Sequence, residues 1–301
     1  MSGPFSRIKG MGGIIMRVIF KDNGAVFTGI KCFNLARSCA CGQAFRWEKR
    51  GDGWMGVVSD RCAVLKQEAE TLYINPCTPH EAAKWREYLD LDGNYAGLED
   101  KLRANKALSV CLPCSSGIHV FKQEPFETLI SFIISANNNL GRIQGIIGRL
   151  CAAAGEAMDT FTGIKHKFPT PCALARIPLE ALRSLGLGYR APFIHQTAGI
   201  IAEGYDLLKL RDLPLEDARK ELMRFPGVGP KVADCALLFS LGHTRAFPMD
   251  VWMNRAMREI WFGGQSFSGA QKQAAISELG ELAGIVQQYV FYYARESKLG
   301  A

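Results

Sequence analysis

Short apolar runs alternate with turn-forming residues through the N-terminal part of the chain, which is the pattern of β-strands. Glycine, aspartate and asparagine separate the runs, and the segment 49–53 has the composition of a hairpin turn. The spacing predicts an antiparallel sheet with one covered face, followed by helices at 80–89 and 98–103. The predicted strands are 17–20, 25–30, 44–48, 54–58 and 63–67.

Beyond Lys122 the apolar residues recur at helical spacing instead. Pro125 suits the first turn of a helix, and the apolar positions from 126 to 134 follow the period of a buried one. We predict further helices around 143–150 and at 214–225, 231–241, 252–260, 269–282 and 285–295. The fold is therefore predicted to be α+β, with a loose tail at 1–16, an N-terminal antiparallel sheet domain at 17–110 and a helical domain at 111–301.

A glycine-rich turn separates two of these predicted helices. Pro226, Gly227 and Gly229 end the first helix, and the second begins at once. Glycine lets the backbone turn sharply and lets a phosphate approach the amides of Gly227, Val228 and Gly229, while the dipole of the second helix favours the same anion. The pattern predicts a helix-hairpin-helix motif that grips a DNA backbone without discriminating its sequence.

Lys231 and Asp250 add candidate chemistry to this motif. Lys231 lies in the first turn of the second helix, where the dipole disfavours a positive charge and so favours the neutral, nucleophilic amine. Asp250 stands at the mouth of a later helix as an N-cap. Glycine hairpins occur in DNA-binding proteins that do no chemistry, and aspartate caps are common. The specific signal is the combination of the two residues.

The run FPGVGPK, followed by FPMD, closely resembles the helix-hairpin-helix DNA glycosylases that have a Gly/Pro-rich loop and a catalytic aspartate. In the bifunctional branch of that family, a lysine at this position attacks the sugar carbon. The resemblance therefore implies that Lys231 is the nucleophile and that Asp250 stabilises the positive charge developing on the sugar. The resemblance extends from about residue 32 to the C-terminus and includes two further motifs, at 42–47 and 184–190.

The segment GQAFRW at 42–47 resembles the part of 8-oxoguanine DNA glycosylases in which a glycine carbonyl faces the damaged base. Guanine N7 is an acceptor, whereas the oxidised base carries a hydrogen there, so a fixed Gly42 carbonyl attracts the lesion and repels guanine. The family pattern adds Cys235 and Phe291 as stacking walls and Gln287 as an amide for the Watson–Crick edge. By itself the segment would be the start of a strand, and apolar packing alone would account for Phe291.

Residues for the opposite base are implied by the same resemblance. Asn137 would fill the gap left by the flipped base, Arg142 and Arg190 would donate to the orphaned cytosine, and Tyr189 would act as a wedge. Without the resemblance, 137–139 would be a polar loop and 184–190 a helix cap. Trp252 departs from the family pattern, since many eukaryotic relatives have a histidine there that helps to hold a phosphate.

Composition adds few constraints. The formal net charge of +7 suits a polyanion partner without demanding one, and 48% hydrophobic residues indicate a globular protein. With neither a membrane-spanning run nor a secretory signal, we expect an intracellular, DNA-associated monomer. It would lie in the cytoplasm and nucleoid of a bacterium or in the nucleus of a eukaryote.

The cysteines give little support for a metal. Of the ten, only Cys111 and Cys114 have ligand-like spacing, and one such pair is weak evidence for zinc. Some relatives carry an iron–sulfur cluster near the C-terminus, but no cysteine follows Cys235 here. We expect no metal and no required cofactor, with a monovalent cation at the hairpin carbonyls implied by the resemblance.

The expected function is a bifunctional DNA glycosylase/AP lyase of base excision repair, acting on 8-oxoguanine opposite cytosine in double-stranded DNA. Base flipping, a lysine Schiff base and β-elimination are implied by the resemblance. Two alternatives stay open from the residues. The enzyme could prefer an oxidised pyrimidine or an alkylated purine, or the chain could be a DNA-binding module that does not cut.

Overall fold

The computed structural model describes residues 6–7 and 16–299 of the chain. The tail predicted at 1–16 lies outside that part, except for Ser6–Arg7 and the buried Met16. Among the described residues, no helix combines the length and the apolar composition needed to cross a bilayer.

Seven strands form one antiparallel sheet in the order β1-β2-β3-β7-β6-β5-β4. Its register pairs Phe27 with Leu72 and Trp54 with Leu65. The predicted hairpin turn at 49–53 is confirmed, with Gly51 at a positive φ of 57° between β4 and β5. The strands are Ser6–Arg7 (β1), Arg17–Lys21 (β2), Gly24–Thr28 (β3), Trp47–Arg50 (β4), Gly53–Val58 (β5), Arg61–Glu68 (β6) and Thr71–Asn75 (β7).

Fourteen α-helices lie in the described part of the chain, most of them after the sheet. They are Leu35–Ala40 (α1), Pro79–Tyr88 (α2), Tyr95–Ala104 (α3), Leu112–Ser115 (α4), Pro125–Ser135 (α5), Leu140–Ala154 (α6), Pro171–Ala175 (α7), Leu179–Leu182 (α8), Ala191–Ala202 (α9), Leu215–Leu222 (α10), Pro230–Ser240 (α11), Val251–Phe262 (α12), Gly269–Glu278 (α13) and Ala283–Glu296 (α14). Short 3₁₀ or π turns lie at Leu108–Cys111, Arg183–Leu187, Gly188–Arg190, Leu207–Asp212 and Gly280–Leu282.

The α+β fold is confirmed, and three local predictions need correction. The strand expected at 44–48 begins only at Trp47, because side chains rather than a strand ladder hold the preceding segment; Gln43 Nε2 donates to the carbonyls of Ser38 and His119. The central strand β7 was missed, as was a second hairpin, Ala157–Thr160 (β8) with Gly163–His166 (β9). β7 is a short run that pairs with the distant β3 as well as with the neighbouring β6. β8 and β9 have only four residues each, too few to show a strand pattern. The domain boundary at 110 stays a prediction.

One face of the sheet is covered by α2. Trp85 of α2 is almost fully buried, and its ring lies 6.2 Å from that of Trp47, within a cluster that includes Phe27 and Leu65. The capping box of Thr78 and Glu81 fixes the start of the helix, so that Trp85 is aligned over the sheet. This cluster is the core of the N-terminal part.

The helical part is built around α5 and α11. Every residue of α11 from Val232 to Ser240 is buried, and the rings of Phe132 on α5 and Phe239 on α11 stack at 5.4 Å. A third core joins α12 and α14 through Met253, Met257 and Tyr289. These contacts bring the first turn of α11 next to the last turn of α5.

Trp85→Ala should lower the free energy of unfolding by about 3–5 kcal/mol, because it leaves a large cavity under the sheet. Lys84→Ala, an exposed position on the same helix, should change it by less than about 0.5 kcal/mol. Urea unfolding followed by circular dichroism measures both. Equal losses in the two variants would show that the α2–sheet contact does not carry this stability.

Candidate active site

The hairpin between α10 and α11 is anchored in the core at Val228 and exposed at Gly229. Val228 is buried, and its amide donates to the Phe225 carbonyl at 3.1 Å. Gly227 has a φ of +77°, and a Cβ there would lie 2.7 Å from the Phe193 ring, so conformation and space both require glycine. Gly229 is exposed, and a Cβ there would meet nothing within 4 Å. The hairpin is therefore anchored by one buried side chain and leaves its Gly229 end accessible to a ligand.

Lys231 lies in the first turn of α11, directly after Pro230, with Gly229 as the N-cap. Its Nζ is 3.3 Å from Ser135 Oγ and 4.9 Å from the centre of the Phe132 ring. No carboxylate among the described residues forms an ion pair with it. The half-buried amine therefore has a hydroxyl and an aromatic face as neighbours, and no described carboxylate lies within ion-pair distance of it.

Asp250 is the N-cap of α12, and this prediction is confirmed. Its Oδ1 accepts from the Met253 amide at 2.8 Å, and the Asn254 side chain donates to its carbonyl at 2.8 Å. The other carboxylate oxygen makes no hydrogen bond to the described residues. One oxygen thus fixes the carboxylate, and the other is available to a positive charge.

Cys235 lies one turn after Lys231 and is only 2% exposed. Burial raises the pKa of the Cys235 thiol to about 12; Lys231 acts in the opposite direction, and the Asp234 and Asp250 carboxylates add to the rise. Both catalytic candidates therefore act electrostatically on the same sulfur atom. The thiol stays neutral at physiological pH and offers a polarisable wall, not a nucleophile.

Gly42 and Phe291 lie together, although they are far apart in the sequence. Gly42 has a φ of +85°, and a Cβ built on it would lie 3.7 Å from Phe291 Cε1 and 3.4 Å from Arg295 Nη1. A side chain at position 42 would therefore enter the space next to the aromatic ring. The geometry suits a backbone carbonyl that approaches a ligand closely.

Gln287 contains a buried polar atom without a partner. Its Nε2 donates to the Pro248 carbonyl at 3.0 Å, while its Oε1 is buried and has no hydrogen-bond partner among the described residues. Because Nε2 is bonded to the Pro248 carbonyl, Oε1 is the amide atom that points away from Pro248. An unpaired buried acceptor is costly, so this oxygen marks a place for a ligand donor.

Three of the four opposite-base candidates lie together, and Arg142 lies on the neighbouring helix. Arg190 is buried; its Nε donates to the Ala136 carbonyl at 3.1 Å and its Nη2 to the Asn137 carbonyl at 3.1 Å. Tyr189 is 58% exposed, with the Arg190 guanidinium 4.3 Å from its ring centre. Asn137 is exposed with a φ of +51°, and Arg142 is exposed on α6. Arg190 therefore shapes the Asn137 turn in this structure and keeps only Nη1 without a described partner.

Family models match most of the chain. Residues 26–129 match the N-terminal domain of 8-oxoguanine DNA glycosylase, and residues 130–281 match the HhH-GPD superfamily of base excision DNA repair proteins. The chain belongs to the 8-oxoguanine DNA glycosylases of the HhH-GPD superfamily.

Similar proteins agree with this placement of the chain among the glycosylases. A probable N-glycosylase/DNA lyase of Methanothermobacter thermautotrophicus is 36% identical over 78% of this chain and 83% of its own length. The N-glycosylase/DNA lyase of Saccharomyces cerevisiae is 35% identical over 73% of this chain and 66% of its own. The Clostridium acetobutylicum 8-oxoguanine glycosylase/lyase, solved with double-stranded DNA containing cytosine opposite 8-oxoG, superposes with a TM-score of 0.89. It is 30% identical, and the match covers 93% of this chain and 98% of that one.

Sequence reasoning did not predict two neighbours of the Lys231 amine in this glycosylase. Ser135 and Phe132, which contact the Lys231 amine, come from a helix that the pattern indicated only as core. A serine that ends an apolar helix just before a polar loop was the available signal.

Trp252 stands where many eukaryotic relatives have a histidine. It is half-buried, and the Arg255 guanidinium lies 5.2 Å from its ring centre.

A polar cavity of about 260 Å³ opens on the other side of Lys231. It is lined by residues of α10, α11 and α13, among them the ion pair of Arg219 and Asp234 at 2.6 Å. None of the four predicted base-pocket residues lines it. The cavity is therefore separate from the pocket that the sequence motifs predict.

The described part of the glycosylase contains no group of three or more His, Cys, Asp or Glu residues placed to hold a metal. The thiols of Cys111 and Cys114 are both free. Burial raises the pKa of Cys111 to about 12, and the Cys114 thiol donates to the Cys111 carbonyl. Cys111 is packed in the core with α3 and α14, whereas Cys114 is half-buried.

Gly227→Ala should lower the free energy of unfolding by about 1–3 kcal/mol, because alanine at this positive φ is strained and its Cβ meets Phe193. Gly229→Ala is the matched control, since its φ of −93° and the open space allow a methyl group. Thermal unfolding by calorimetry compares them. A stable Gly227→Ala variant would show that the turn relaxes more easily than the geometry indicates.

Iodoacetamide at pH 8 should alkylate the exposed Cys172 in the folded protein and leave Cys235 unmodified. With a pKa of about 12, only about one Cys235 thiol in ten thousand is ionised at that pH. The raised pKa also implies that the stabilising contribution of this thiol is complete below pH 9 and is lost as the pH approaches 12. Peptide mass spectrometry checks the labelling, and urea-unfolded protein provides the fully labelled control. Rapid labelling of Cys235 would contradict the burial.

Proposed function

We propose that the chain is a bifunctional DNA glycosylase/AP lyase that excises 8-oxoguanine opposite cytosine from duplex DNA in base excision repair. The observation that carries this is the environment of Lys231. A half-buried amine without an ion-pair partner among the described residues lies in the first turn of a helix, next to the Ser135 hydroxyl and one turn before the buried Cys235. The Asp250 carboxylate is fixed by one oxygen at the start of α12.

DNA binding is assigned to the hairpin. The hairpin Gly227, Val228 and Gly229 leads into the N-terminus of α11, where the helix dipole favours a phosphate. The amides of Gly227 and Gly229 are the candidate donors, since the Val228 amide already donates to the Phe225 carbonyl. Only the Gly229 end has open space above it. A monovalent cation coordinated by the hairpin carbonyls is part of the proposal, as the family pattern implies.

The flipped base is assigned to Gly42, Gln287, Cys235 and Phe291. The N7 hydrogen of 8-oxoguanine donates to the Gly42 carbonyl, and the donors of its Watson–Crick edge bond to the unpaired Gln287 Oε1. Phe291 and the neutral Cys235 thiol cover the two faces of the ring. Guanine would place its N7 lone pair against the same carbonyl and is disfavoured.

Excision begins when neutral Lys231 attacks C1′ of the deoxyribose. The C1′–N9 bond breaks, and the base leaves with the electron pair and takes up a proton. Asp250, whose second oxygen has no described partner, stabilises the positive charge that develops on the sugar. The sugar ring opens to a Schiff base on Lys231. Loss of a C2′ proton then breaks the C3′–O bond and nicks the strand on the 3′ side, and no step needs a redox cofactor.

The opposite strand is assigned to the cluster around Arg190. Arg190 Nη1 and Arg142 donate to the acceptors of the orphaned cytosine, Asn137 fills the gap, and Tyr189 supports the bend as an exposed wedge. Opening a base pair costs a few kcal/mol, and these contacts offset part of that cost. We further propose that the protein acts as an intracellular monomer, with the sheet domain at 17–110 and the helical domain at 111–301.

Lys231→Gln should abolish excision and borohydride trapping while it retains affinity for the lesion, because only a lysine imine becomes covalent on reduction. Trapping on duplexes with 8-oxoguanine opposite each of the four bases measures lesion, partner base and nucleophile together. The adduct should be strongest opposite cytosine. Lys272→Gln, a second amine bordering the cavity beside Lys231, should trap like the parent protein.

A Lys231→Gln variant with full activity would overturn the mechanism. An adduct that forms on an oxidised pyrimidine or an alkylated purine but not on 8-oxoguanine would move the substrate to that base. Tight binding without any adduct on any lesion would indicate a module that does not cut.

A further inference from the structure

Three of four consecutive backbone carbonyls in the segment 40–43 are held by side chains from distant elements. Arg295 Nη2 donates to the Ala40 carbonyl at 2.8 Å, and Gln288 Nε2 donates to the Cys41 carbonyl at 3.1 Å. Gln123 Nε2 donates to the Gln43 carbonyl at 2.8 Å. The carbonyl of Gly42 is the exception, since no donor in the described part of the chain reaches it.

The carbonyls on either side of Gly42 therefore resist rotation. Glycine has no Cβ to limit its dihedral angles, so an unrestrained peptide at this position could turn its oxygen in several directions. Here the preceding peptide is anchored to Gln288 and the following one to Gln123. The Gly42 oxygen is held in one direction although nothing bonds to it directly.

Gln288 and Arg295 belong to the same helix as two residues of the proposed base pocket. Gln287 and Phe291 lie on α14, and so do both donors. Gln288 is buried, and the Arg295 guanidinium lies 5.8 Å from the Phe291 ring centre and 5.3 Å from that of Tyr292. One rigid helix thus orients the loop that carries Gly42 relative to the pocket wall at Phe291.

We propose that Gln288 and Arg295 are positioning residues that determine the discrimination between 8-oxoguanine and guanine. This inference rests on the proposed function of Gly42. The lesion and the normal base differ at N7, as a donor and an acceptor, so the Gly42 oxygen discriminates only if it cannot turn away from a repulsive lone pair. Removing an anchor allows the peptide to rotate, which weakens the bond to the lesion and relieves the repulsion of guanine.

The test measures binding in the Lys231→Gln background, where the DNA is not cut. Dissociation constants are compared for two duplexes that differ only in 8-oxoguanine or guanine opposite cytosine. Gln288→Leu and Arg295→Leu should each lower the preference for the lesion about tenfold, the value of one well-placed hydrogen bond. Arg295→Lys keeps a donor and should restore most of the preference. Ser297→Ala, at the exposed C-cap position directly after α14, should match the parent.

A second readout separates positioning from general damage. With Lys231 restored, the AP lyase reaction on a duplex with a preformed abasic site needs no damaged base in the pocket. Each variant should therefore keep the lyase rate within about twofold of the parent. Should Gln288→Leu fail to fold, Arg295→Leu decides, because its side chain is 26% exposed and tolerates replacement more easily.

The outcomes are distinguishable. Unchanged lesion preference in both leucine variants, or a lyase rate that falls as much as the preference, would overturn the positioning role. If the parent Lys231→Gln protein itself binds both duplexes equally, the proposed function of the base pocket fails first. Loss of preference with lyase retained and Arg295→Lys rescuing supports the inference.

Discussion

The burial of α11 is the constraint on which the site depends. From Val232 to Ser240 the helix has protein on all sides, so its first turn is the only part that meets solvent. Pro230 and the glycine hairpin make the helix begin there. A lysine in that turn is half-buried, and its amine lies beside Phe132 and Ser135 of α5. The amine proposed as the nucleophile thus has defined neighbours and no ion-pair partner among the described residues.

A second rigid element, α14, connects the two parts of the molecule. Its buried face packs with α12 through Tyr289 and Met253, which places Gln287 and Phe291 near the loop that ends in Asp250. The same helix also holds the 40–43 segment, through Gln288 next to Gln287 and through Arg295 near its C-terminus. The side chains that hold the 40–43 segment thus come from α14 and from Gln123, and none of them belongs to the sheet.

The unsatisfied polar atoms around the proposed pocket share one chemical character. The Gly42 carbonyl, Gln287 Oε1 and the second oxygen of Asp250 are all acceptors without a donor among the described residues. Gln287 Oε1 is buried, and an unpaired buried acceptor lowers the stability of the free protein. They match a ligand that brings hydrogen-bond donors and a developing positive charge, which describes an oxidised guanine leaving its sugar.

The sequence by itself determined the local features: the hairpin turn at 49–53, the helix-hairpin-helix, the N-cap at Asp250 and the glycine at 227, because each depends mainly on neighbouring residues in the chain. The spacing of a short motif is enough when the physical cause is local. Tertiary structure alone decided which distant groups surround those features. Ser135 reaches Lys231 across 96 residues and Gln288 reaches Cys41 across 247, and no periodicity encodes such pairings. The same holds for β7, whose place at the centre of the sheet follows from pairing with β3 and β6. Packing, which depends on the whole core at once, brought these residues together.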